Sequence, residues 1–201
     1  MFYKIILKKA NEWHQSSECK IKNIIKYIIN KRNLRDAQIE AIKLYLFFKI
    51  YCKNKSLVEL FCKGYFLENI DLDDLVSKNL GDFLKKNSAA RQLYELTLTD
   101  KNYDSLKKRI EENYKEIDFE EVFNSFFNNI SYANYIYSLP MGAGKTYLMS
   151  AFIYLDLYFA LNEPTNKSFA HNFIILVPSG LKSSIMPSLK KIKDFDVSWI
   201  F

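Results

Sequence analysis

A chain of 201 residues can build one sizeable domain or two small ones, and its 49% hydrophobic and 26% charged content, with only five Gly and four Pro, excludes a disordered polypeptide. A net charge of +6 suits an anionic partner such as nucleic acid, although codon bias toward Lys, Asn, Ile, Phe and Tyr accounts for the same lysine content. Three cysteines without CxxC spacing (Cys19, Cys52, Cys62) and two histidines (His14, His171) support neither a disulfide framework nor a zinc site.

Taken in chain order, residues 2–7, FYKIIL, read as a short strand. The lysines of MFYKIILKKA break it up too early for a secretion signal, so a reducing cytoplasm is the expected location. SSECKIKNIIKYIINK then places Ile21, Ile24, Ile25, Ile28 and Ile29 on one helical face. NLRDAQIEAIKLYLFFKIY opens a second helix with Asn33 and Asp36 as N-cap candidates. Residues 1–55 therefore read as an amino-terminal helical region.

Residues 56–131 contain almost no proline and carry several helical patterns, punctuated by Gly81, Asn87 and Asp118. They read as a helical insert, a candidate surface for a protein partner. The mixed charges of this segment at helical spacing, such as Lys107 with Glu111, indicate a solvated face.

From residue 132 the pattern changes. YANYIYS is β-rich, LPMGAGKT is a turn, and Lys145 to Leu161 is helical. The apolar run 148–161 is interrupted by Asp156 and falls short of the roughly 20 residues that cross a bilayer, so it reads as a buried helix and no membrane partner is expected. NFIILVP, 172–178, reads as a buried strand, followed by a helix from Leu181 to Lys193 and a last apolar run, VSWIF. Strand, turn, helix and strand in this order predict the start of an α/β parallel sheet over residues 132–201.

The turn carries the chemistry. A nucleoside triphosphate needs converging backbone N–H donors, a cation at the β and γ phosphates, and a hydroxyl for Mg²⁺. In MGAGKT, Gly142, Ala143 and Gly144 supply the close backbone approach, Lys145 the cation and Thr146 the magnesium ligand. The full GxxxxGK[ST] pattern expects glycine where Leu139 stands. The competing reading is a glycine-containing turn ahead of a buried helix.

LPMGAGKT resembles motif I of superfamily 2 helicases and translocases, with Met141 in place of the usual Thr, and IILVPSGLKSSI resembles motif Ia. Within that DEAD/DEAH-like superfamily the chain is most similar to type III restriction enzyme subunits, over roughly residues 132–193. The resemblance implies an incomplete P-loop NTPase (RecA-like) parallel sheet, ATP and Mg²⁺ as cofactors, and DNA as partner through Ser179 and Lys182. NLRDAQIEAI resembles the upstream Q motif of the same superfamily, which implies that Gln38, with Arg35 beside it, reads adenine, since an amide can donate and accept at once. Lys145 follows Gln38 by 145 − 38 = 107 positions, far beyond the family's spacing, so either the helical segment is inserted between them or the match is accidental.

Hydrolysis needs a carboxylate for Mg²⁺ and a group that orients water. The only acids after the turn are Asp156, Glu163, Asp194 and Asp196, none in an Asp-Glu box, and no arginine follows Arg109. The expectation is therefore the amino-terminal ATP-binding portion of a DNA-dependent ATPase, helicase or translocase of restriction type. A non-hydrolysing ATP-binding interaction module and a small P-loop phosphotransferase stand as alternatives.

Overall fold

The computed structural model describes the chain apart from residues 1, 32, 33, 69, 73, 100, 141, 177–185, 188, 189, 191, 197 and 199–201. Its helices are α1 (Phe2–Gln15), α2 (Lys22–Lys31), α3 (Asp36–Leu46), α4 (Leu57–Cys62), α5 (Lys78–Lys86), α6 (Ser88–Thr97), α7 (Asp104–Asn113), α8 (Phe119–Phe126) and α9 (Lys145–Asn162). A π-helical turn, Phe47–Tyr51, extends α3, and a 3₁₀ turn, Lys101–Tyr103, precedes α7. The chain forms two compact units, one of residues 1–54 with 136–201 and the other of residues 55–135.

In the first unit, Ile6, Ala10 and Trp13 fall on one face of α1 at spacings of four and three and are buried, so the segment expected as a strand winds instead into an amphipathic helix. Trp13 packs against Phe47 and Tyr51, both ring centroids 5.9 Å away. Ile21, Ile25 and Ile28 bury the matching stripe at α2. Helix α3 packs between α1 and α9. Helix α9 is apolar nearly all round and buries Leu148, Ala151, Leu155, Phe159 and Ala160. No helix among the described residues is long and apolar enough to cross a membrane.

His14 closes this packing. Its Nε2 lies 2.9 Å from the Lys43 carbonyl, which can only accept, so Nε2 carries the proton and Nδ1 faces the Cys19 thiol at 3.8 Å. Burial holds the imidazole below its ordinary value of 6.5. Both folded and unfolded chains are neutral here above that value. As pH falls below it, the unfolded chain takes up the proton first and stability drops, by at most about 1.4 kcal/mol per pH unit. Urea unfolding between pH 7.5 and 5 is expected to show a shallower acid loss in His14→Gln, which keeps a donor for Lys43, than in the wild type. Parallel pH profiles would rule out His14 as the cause.

The second unit is organised around α6, which packs on α4, α5, α7 and α8 and buries every residue from Ala89 to Thr97 except Arg91. Asn87 starts α6 by accepting the Ala90 N–H at 2.9 Å, and Asp118 starts α8 by accepting the Glu121 N–H at 3.0 Å, caps that contribute about 1 kcal/mol each. Gly81, by contrast, does not punctuate a helix but lies within α5. Phe61 meets Phe66, Phe123 and Phe127 at 4.6, 5.5 and 5.3 Å to form the aromatic centre. The described residues between Phe66 and α5 form no helix or strand, and side chains of α6 satisfy part of their backbone. Gln92 accepts the Phe66 N–H at 3.2 Å, Glu95 accepts the Glu68 N–H at 2.8 Å, and Arg91 donates to the Ile70 carbonyl at 3.2 Å.

The expected α/β parallel sheet is not seen: the described residues contain no β-strand. Residues 133–140 and 172–176 form no regular element, but their side chains alternate between half-buried and exposed, the period of a strand. A strand also needs a hydrogen-bonded neighbour, and the two segments do not pair. Their outward positions leave Ile136, Ile174 and Leu176 at 90%, 88% and 88% exposed. Most of the expected helix 181–193 and the last apolar run lie outside the described residues.

Candidate nucleotide site

Helices α3 and α9 lie side by side with a constant offset. Arg35 contacts Gly142, the Tyr45 ring stacks on Phe152 at 4.1 Å and 7°, and Lys49 pairs with Asp156 at 3.0 Å, each partner 107 positions further on. A constant offset requires the two helices to run parallel, so their amino ends come together. Each end presents unpaired N–H groups and about half a positive charge.

The turn ahead of α9 is built by its glycines. Gly142 and Gly144 have φ of 76° and 75°, the left-handed region that residues with a Cβ avoid. Gly144 is the N-cap of α9, and its carbonyl accepts the Leu148 N–H at 3.0 Å. Ala143 is buried between them, its N–H bonded to the Pro140 carbonyl at 3.3 Å. No acidic residue stands in the first turn of α9, where Lys145 is exposed and Thr146 half-buried.

Arg35 and Gln38 sit against this turn. The Arg35 guanidinium donates through Nη1 to the Gly142 carbonyl. A Cβ built on Gly144 would lie 2.7 Å from Gln38 Nε2, so the buried amide touches the turn where the glycine has no side chain. Gln38 Oε1 accepts the Arg35 N–H at 3.1 Å, which fixes the amide and closes the first turn of α3. Arg35, and not Asn33 or Asp36, occupies the N-cap position; Asn33 lies outside the described residues and Asp36 is the first helical residue. Gly142, Ala143, Gly144, Lys145, Thr146, Arg35 and Gln38 are thus gathered at one locus, whereas Ser179 and Lys182 lie outside the described residues.

Two of the acids after the turn, Asp156 and Glu163, are engaged along or beyond α9. Asp156 stands eleven residues beyond Lys145, about 16 Å along the helix, and is engaged by Lys49 and the Ala170 N–H, both at 3.0 Å. Glu163 accepts from Asn166 at 2.8 Å. Among the described residues no group of three or more His, Cys, Asp or Glu side chains is arranged to hold a metal. Tyr45 stands between Lys49 and the stacked Phe152, and burial, together with the Asp156 charge, raises its hydroxyl above the ordinary range. The Lys49–Asp156 pair was not anticipated from sequence; a lone aspartate inside the apolar run 148–161 is the signal that points to it, because a charge there requires a partner.

Two parallel helices thus bring their amino ends to a glycine turn flanked by Lys145 and Arg35. No protein family, curated protein or solved structure matches the chain.

Proposed function

We propose that the chain binds ATP with its phosphates on the Gly142–Thr146 turn, as the nucleotide-holding part of a DNA-dependent ATPase, helicase or translocase of restriction type working in the cytoplasm. The observation that carries this reading is the meeting of Arg35 with Gly142 and of Gln38 with Gly144, across 107 and 106 positions of sequence. A glycine turn ahead of a buried helix needs no arginine and no fixed amide at its mouth. Lys145 and Arg35 supply the positive charge that a triphosphate requires. The Thr146 hydroxyl has the chemistry to complete a Mg²⁺ shell made mainly of phosphate oxygens and waters, the usual manner of binding this ion. For an adenine edge the Gln38 amide has its Nε2 donor and the second lone pair of Oε1, the first being used by the Arg35 N–H.

Asp156 is committed to Lys49 and lies too far along α9 to serve the turn, so the described residues fit holding ATP better than splitting it. DNA as the partner rests on the motif resemblance and the charge of +6, and a protein partner for residues 56–131 rests on their helical, mixed-charge sequence. Equilibrium dialysis of the purified chain with ATP and Mg²⁺ tests the reading. Saturable binding with γ-phosphate release at background, with and without DNA, is expected; absence of saturable ATP binding would overturn the proposal.

A further inference from the structure

We infer that Lys49 and Asp156 are positioning residues for the nucleotide site, holding α3 in register against α9 so that Arg35 and Gln38 stay at the glycine turn. This inference rests on the nucleotide reading above and assigns it residues that touch no part of the ligand.

The pair joins three chain segments. Lys49 Nζ donates to Asp156 Oδ2 and to the Ser168 carbonyl, both at 3.0 Å, while the same carboxylate oxygen accepts the Ala170 N–H at 3.0 Å. The two side chains are 13% and 2% exposed, so solvent does not screen them. Lys49 stands on the π-helical turn Phe47–Tyr51, where the Cys52 N–H bonds back five residues to the Phe47 carbonyl at 3.0 Å. Such turns are rare overall and frequent at functional sites.

Stability alone is a poor account of this arrangement. Desolvation offsets most of the attraction in a buried ion pair, and apolar residues of similar volume usually hold two helices at least as well. What apolar contacts do not supply is register, since a greasy interface can slide by a turn, whereas a buried charge has one acceptable partner. Lys49 lies eleven residues beyond Gln38, about 16 Å along the axis. Pinned at that end and stacked at Tyr45 and Phe152, α3 cannot pivot or slip, and a slip of one turn, about 5.4 Å, would carry Gln38 away from Gly144.

The test compares ATP, GTP and inorganic triphosphate binding, each with Mg²⁺, in the full chain and in variants checked for native circular dichroism. Lys49→Met combined with Asp156→Leu keeps the volume and removes the charges. It is expected to bind inorganic triphosphate within twofold of the wild type while its preference for ATP over GTP falls about tenfold. Asp156→Asn, nearly isosteric and less disruptive to folding, is expected to shift the same ratio in the same direction, and Lys49→Arg, which retains the ion pair, to keep the wild-type ratio. A folded charge-free variant with an unchanged ATP to GTP ratio overturns the inference and leaves the nucleotide reading standing. Failure of the wild-type chain to bind any of the three overturns both.

Discussion

Replacing Lys145 by alanine is expected to weaken ATP binding by about 10- to 100-fold and to leave the fold unchanged. Lys145 is the first residue of α9 and is exposed, so its side chain contributes little to packing. At the mouth of the turn it is the cation that the proposed reading assigns to the β and γ phosphates. A hydrogen bond to a charged group contributes about 1.5–3 kcal/mol, and each 1.4 kcal/mol is tenfold in affinity. The loss should shrink as salt rises, because an exposed ammonium is screened. Titration of wild type and variant with a fluorescent ATP analogue, alongside thermal unfolding of both, separates binding from stability. Equal affinities would mean that the turn caps a helix and holds no phosphate.

Gly144→Ala is expected to lower the stability of the first unit by about 2–3 kcal/mol, the sum of two separable costs. A φ of 75° costs a residue with a Cβ about 1–2 kcal/mol. The added methyl would also stand 2.7 Å from Gln38 Nε2, and the amide cannot retreat easily, because Oε1 is bonded to the Arg35 N–H and the side chain is buried. Only the second cost involves Gln38. In a double-mutant cycle, Gly144→Ala with Gln38→Ala should therefore be less destabilised than the sum of the single changes by at least about 0.5 kcal/mol. Gly142→Ala is the control, since its φ is also positive, at 76°, but nothing lies within 4 Å of the added atom. Strict additivity in denaturant unfolding would show that Gln38 and Gly144 do not touch.

What could be read in the sequence follows the range of the forces involved. The isoleucines of α2, at helical spacing, declare a buried face without outside help, and Ile21, Ile25 and Ile28 are buried. The start of α9 at Lys145 is equally local, because two glycines and a run of apolar residues leave the chain few other places to begin a helix. FYKIIL misled because six residues of β-branched and aromatic character fit either element, and the decisive residues, Ala10 and Trp13, lie beyond the window. The expectation of a parallel sheet failed for a different reason. The composition of residues 133–140 and 172–176 gives them a strand-like alternation of half-buried and exposed side chains, but a ladder exists only if another segment supplies its hydrogen bonds.

The sequence by itself determined the helical character of most of the chain beyond α1 and the glycine turn ahead of α9, because each depends on neighbours a few residues away. Only the tertiary structure decided that α3 and α9 run parallel with a constant offset of 107, that Gln38 lies against Gly144, and that Lys49 answers the buried charge of Asp156. Contacts across so long a stretch are fixed by packing and by the cost of an unpaired buried charge, and neither has a local signature.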